Sequence, residues 1–116
     1  MMKSAKDTVI LVTRNGMGSG DAALQLKLMG TWLNLLLEEG NLPSAICFYT
    51  DGVRLAVEGS PVLDELKALE AAGVRLILCT TCLNTYGLTD LVRVGIVGGM
   101  SDIITAMFSA DKVISI

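Results

Sequence analysis

Residues Thr8–Thr13 read TVILVT and run directly into Arg14-Asn15-Gly16. An unbroken β-branched and aliphatic run, with no polar alternation and a turn signal at its end, describes a strand buried on both faces. Such strands belong to parallel sheets covered by helices on both sides. Similar short runs recur at Ala45–Tyr49 (AICFY), Val74–Leu78 (VRLIL), Val94–Val97 (VGIV) and Lys112–Ile116 (KVISI). Helical stretches separate them. The first spans Asp21 to Glu39, with Asp21 as N-cap and Gly40 as its stop. The second opens at Ser60-Pro61, a capping serine with proline in the first helical position, and stops at Gly73. A short third follows Cys79, and a fourth runs from Ser101-Asp102 to Ala110. Alternating strands and helices joined by short connections predict an α/β fold, a three-layer α/β/α sandwich around a five-stranded parallel sheet. Its 116 residues suit one domain over residues 1–116.

Composition narrows the function. Apolar residues make up 52% of the chain and charged residues 18%, against about 45–50% and about 25% in ordinary globular domains. No segment reaches the roughly 18 uncharged apolar residues of a spanning helix, and the opening MMKSAKDTVILV is too short in apolar residues for a signal peptide. A cytoplasmic protein without membrane contact is expected, with its surplus apolar surface buried between subunits. There is no histidine. That excludes Ser-His-Asp and Cys-His nucleophile pairs, histidine-ligated zinc or haem, and phosphohistidine relays. A net charge of -3, no basic stripe and only five aromatic residues argue against nucleic acid as a partner. Three cysteines without an export signal fit a reducing compartment.

The surplus concentrates on the first helix. Lys27, Thr31, Asn34 and Glu38 fall on one narrow stripe, whereas Leu24, Leu26, Leu28, Met29, Trp32, Leu33, Leu35 and Leu36 spread over the rest. This apolar arc is about 220° wide, while packing on a sheet needs about 100° or a little more. The helix is expected to face the sheet on one side and another subunit on the other.

In an open parallel sheet the site lies outside the carboxyl ends of the strands, where loops converge. Four loops qualify: Arg14–Gly20 (RNGMGSG), Thr50–Val53 (TDGV), Cys79–Cys82 (CTTC) and Gly98–Met100 (GGM). The Cys-x-x-Cys at Cys79 and Cys82 carries the strongest chemical signal, because two thiols between a strand and a helix start can accept, pass on or resolve sulfur. Two other readings of the pair stay open, small buried hydrophobes and part of a metal site shared between subunits. With no histidine, only Cys47 remains as a further soft ligand. The glycine loop lacks the G-x-G-x-x-G spacing and has no P-loop lysine, so its glycines serve a tight turn and close chain approach. Asp51-Gly52 reads as a turn, and no acidic pair follows the first strand to hold magnesium. Alternatives to sulfur transfer are a noncatalytic assembly module or one binding a small anionic ligand, and a dithiol redox protein.

These residues resemble the DsrE/DsrF-like family of sulfur-relay proteins, and most of all the DsrE-like domain of sulfurtransferase-like selenium-metabolism proteins. The matching segments are MGSGD (Met17–Asp21), LPSAICFYTDGVRLAVEGSPVLDELKALEAAGV (Leu42–Val74), CTTCLNTYGL (Cys79–Leu88), VGIVGGM (Val94–Met100) and ADKVISI (Ala110–Ile116). The resemblance implies a five-stranded parallel α/β/α sandwich and a homotrimer or homohexamer. It implies a sulfurtransferase role with sulfur donor and acceptor proteins as partners, and no cofactor or metal. The family's persulfide cysteine, immediately after the third strand, corresponds to Cys79. The residues themselves then lead to the expectation that backbone donors at Thr80 and Thr81 stabilise the anion and that Cys82 resolves the persulfide or forms a disulfide. Asn15, Gly16, Met17, Gly18, Asp51, Gly52, Val53 and Tyr86 are expected to line the pocket. The chain departs from the family in Thr80, where glycine is common, and lacks the Cys-Pro-x-Pro module that usually precedes the selenium-metabolism domain.

Overall fold

The apolar runs become the strands of a single five-stranded sheet in the computed structural model, which describes residues 2–116. The strands are β1 (Thr8–Val12), β2 (Ala45–Phe48), β3 (Arg75–Cys79), β4 (Ile96–Gly98) and β5 (Lys112–Ser115). They lie in the order β4-β3-β2-β1-β5, and every neighbouring pair is parallel. Four helices connect them: α1 (Ala22–Glu39), α2 (Leu63–Ala71), α3 (Thr80–Thr85) and α4 (Met100–Ser109). Two 3₁₀ helices, Thr50–Ala56 and Thr89–Leu91, occupy stretches that read as loops in sequence.

Steps from β1 to β4 all run one way across the sheet, so right-handed crossovers place α1, α2 and α3 on one face. The return from β4 to β5 reverses direction and carries α4 to the other face. Parallel register sets the side chains in rows. Val12, Phe48 and Leu78 form one row and Ile10, Ile46 and Leu76 another, both buried beneath α1 and α2. Leu11, Cys47 and Ile77 point the opposite way, towards α4.

Most strand ends move by one residue from the sequence reading, and three starts move for identifiable local reasons. The second helix starts at Leu63, because the Ser60 hydroxyl accepts the Val62 N–H (3.3 Å) and closes a turn one step before the helix. The fourth strand starts at Ile96, because Gly95 sits at φ +89° and gives its N–H to the Glu70 carboxylate (3.0 Å). The fourth helix starts one residue early at Met100, with the Asp102 carboxylate accepting the Gly99 N–H (2.8 Å) across the first turn. Asp21 holds the cap position of α1 without a side-chain bond, while Gly40 ends that helix in the left-handed conformation as expected.

Burial pushes the Cys47 thiol up to about 11, with Arg75 acting weakly in the other direction. The folded state thus favours the protonated thiol. The associated stability is intact below about pH 9 and disappears as pH rises through 11, an effect of about 3 kcal/mol. Chemical denaturation of the native protein and Cys47→Ala across this window tests it. The native protein should lose that much more stability than the variant, and parallel curves would refute the assignment.

Candidate functional site

The reactive groups gather at the carboxyl edge of the sheet, where β3 passes directly into α3. Cys79 is the last residue of the strand and the cap of the helix, and Cys82 lies one turn on. The Cys79 side chain accepts the Cys82 backbone N–H (3.4 Å), which turns its sulfur towards the second cysteine. The Cys82 thiol donates to the Cys79 sulfur at 2.9 Å, inside van der Waals contact. Cys79 is only 3% exposed, whereas Cys82 is half-buried. No third potential ligand among His, Cys, Asp and Glu joins them among the described residues.

A third group converges from the loop after β2. The Thr50 backbone N–H donates to the Cys82 sulfur at 3.1 Å. Thr50 is at φ +52°, the one non-glycine residue with positive φ among those described. A β-branched residue is strained there by about 1–3 kcal/mol, and the surrounding turn holds it. Gly52 locks that turn, because its Cα lies so close to the Val12 carbonyl that no side chain fits between them. The same carbonyl accepts the Tyr49 N–H (3.1 Å). Burial, foremost, and the bond to Cys79 hold the Cys82 thiol above its usual range, while the Thr50 N–H acts in the other direction.

A charged cluster borders the pair. Arg54 forms an ion pair with Asp51 (3.2 Å) and lies 4.1 Å over the Tyr86 ring, so the 3₁₀ helix and α3 are tied together beside Cys82. Desolvation, followed by the Asp51 carboxylate, raises the Tyr86 phenol. Asn15 and Arg54 share a cavity of about 300 Å³ with Leu26, Val57, Ser60 and Leu88, which neither cysteine lines.

Several expected site residues have other work. Val53 is fully buried in the core and backs the site. Thr80 donates its hydroxyl to the Gly98 carbonyl (2.7 Å), tying α3 to β4, and Thr81 is exposed. The donors that reach sulfur are the N–H groups of Cys82 and Thr50, and not those of Thr80 and Thr81. Gly16 is buried with its Cα against the Gln25 backbone, at φ +134°, and Met17 packs on the core. Gly18 at φ +72° has open space around it and serves the turn alone. Thr50 lies in one of the four candidate loops but its bond to sulfur has no sequence signal, and Arg54 lies outside them; the only hint for Arg54 is its opposite charge three residues after Asp51.

A family model described as the DsrE/DsrF-like family matches residues 6–116. The chain belongs to the DsrE/DsrF-like family. Among solved structures, the ychN protein from E. coli superimposes with a TM-score of 0.68 at 24% identity, covering 94% of this chain and 98% of that one. The protein of unknown function MTH1491 from Methanobacterium thermoautotrophicum also gives 0.68, at 17% identity, covering 94% and 97%. These likenesses establish the DsrE-like fold. A search of curated proteins finds no match.

Two apolar stripes remain on the outside. On α1, Met29 and Leu33 are buried, while Leu24, Leu28 and Leu35 line up half-exposed on the side away from the sheet. On α4, Ile103 and Ala106 are buried, whereas Met100, Ile104 and Phe108 recur every four residues and Phe108 is 85% exposed. No helix among the described residues is long and apolar enough to cross a membrane.

Proposed function

We propose that this chain is a one-domain sulfur carrier of the cytoplasm, a sulfurtransferase that holds sulfane sulfur as a persulfide on the Cys79–Cys82 pair. The observation that carries the reading is the 2.9 Å sulfur pair at the end of β3, with a backbone N–H aimed at its more exposed member. Membership of a family commonly engaged in sulfur relay supports it. Donor and acceptor proteins supply and remove the sulfur, and no cofactor is needed because the thiols are the reactive groups. The spelling of CTTCLNTYGL, close to that of selenium-metabolism proteins, makes selenium a second cargo to test. Copies of the chain assemble as a trimer or hexamer through the apolar stripes of α1 and α4, which are too continuous for a monomer's surface. The same close sulfurs also suit a dithiol redox protein, which would form the disulfide without ever holding extra sulfur.

The test is a mass measurement. Reduced protein is incubated with a low-molecular-weight persulfide or a cysteine desulfurase with its substrate, and the tryptic peptide 76–93, which holds both cysteines, is weighed after alkylation. A gain of one sulfur atom is expected when alkylation stops the reaction at early times, before the second thiol can discharge it. An unmodified peptide alongside a control carrier that loads would rule out the carrier function.

A further inference from the structure

Resting on the carrier reading, we infer that the two cysteines divide the work in the order opposite to their positions along the chain: Cys82 takes up the sulfur and Cys79 expels it as hydrogen sulfide. Three observations assign the roles. Cys82 is the more exposed residue of the pair, half-buried, whereas Cys79 is 3% exposed and has no room at the surface to meet a donor. The strained Thr50 aims its N–H at Cys82, so the additional hydrogen bond for an anion or an outer sulfur is placed there. The Cys79 sulfur lies 2.9 Å behind that of Cys82, held on the protein side by the Cys82 N–H. A nucleophile in that position reaches the inner sulfur of a Cys82 persulfide and is shielded from everything else.

The steps balance. In loading, the Cys82 thiolate attacks the outer sulfur of a small persulfide; the donor's sulfur–sulfur bond breaks, and the donor departs as its thiolate. In discharge, the Cys79 thiolate attacks the Cys82 sulfur of the persulfide. A Cys79–Cys82 disulfide forms, the bond to the outer sulfur breaks, and hydrosulfide leaves and takes up a proton. The outer sulfur is reduced by two electrons, which the two cysteines supply by becoming a disulfide. An external dithiol returns the pair to its reduced state. The protein is then a sulfide-releasing reductase of persulfides whenever no acceptor removes the sulfur first.

Single-turnover experiments on the full chain separate these roles. The reduced native protein, Cys79→Ser and Cys82→Ser are exposed to a small persulfide, freed of excess reagent and followed for released sulfide and for the mass of peptide 76–93. Serine at position 79 is a good helix cap, so that variant keeps its fold. Cys79→Ser should load and hold the sulfur on Cys82 without releasing sulfide. Cys82→Ser should load about tenfold less or worse. The native protein should release about one sulfide per loaded chain while its peptide loses two hydrogens to the disulfide, and a dithiol should restore a further round. Normal loading of Cys82→Ser, or sulfide release by Cys79→Ser, would overturn the division of labour and leave the carrier function standing. No loading of any form would overturn both.

Discussion

Gly52→Ala should destabilise the protein by roughly 3 kcal/mol or more, lowering its melting temperature by about 10 °C or beyond. A methyl group at this position would lie 2.0 Å from the Val12 carbonyl oxygen and 2.7 Å from its carbon. Neither is a flexible side-chain end that can swing aside. The carbonyl belongs to the central strand pair β1–β2 and accepts the Tyr49 N–H, so relief requires the loop to lift off the sheet. That loop carries Thr50, whose N–H bonds to Cys82, and Arg54, which packs on Tyr86. Sulfur loading should therefore fall along with stability. Gly18→Ala is the control, since the only penalty there is the left-handed backbone, about 1 kcal/mol, with nothing within 4 Å. Equal melting temperatures for the two variants would show that the close approach at Gly52 does not constrain the site.

Phe108→Asp should break the assembly while leaving the subunit folded. Phe108 is 85% exposed at the end of the Met100-Ile104-Phe108 stripe, so the monomer loses no packing when it is replaced. Burying a phenylalanine contributes about 1.5–3 kcal/mol, and a carboxylate in its place must be desolvated without a partner. Each subunit contributes one copy, so association should weaken by about a hundredfold or more. Light scattering behind a sizing column reads the result directly, with unchanged far-ultraviolet dichroism as the fold control. An oligomer that persists in Phe108→Asp and dissociates in Leu28→Asp would move the interface to α1. Persistence in both would remove the stripes from the assembly.

Much of the fold was legible because burial on both faces leaves parallel strands no polar alternation, and TVILVT and AICF show this plainly. Where the reading slipped, a local bond won over a general preference. Ser60 closes a turn with Val62 instead of capping the helix, and Gly95 delays the fourth strand by turning left-handed. The cysteine pair was legible from spacing and from its place after a strand. The role of Thr50 was not, because threonine is among the residues least suited to positive φ, and its conformation belongs to a turn held by long-range packing of Gly52 on Val12. The sequence locates the apolar surplus on α1 and does not reveal the second stripe on α4. Ile103, Ala106 and Met107 are apolar too, and the pattern alone does not say which arc of MSDIITAMFS meets the sheet.

The most direct measurement of the carrier function is the sulfane sulfur held per chain, determined by cold cyanolysis after the reduced protein has met a persulfide donor in the presence of an acceptor-free, reductant-free buffer and been quenched at early times. Native protein and Cys79→Ser should yield cyanide-labile sulfur, the variant approaching about one atom per chain and retaining it, and the Cys79→Ser/Cys82→Ser double variant should yield none. Labile sulfur in the double variant, or its absence from the native protein and Cys79→Ser alike, would contradict a persulfide on this pair.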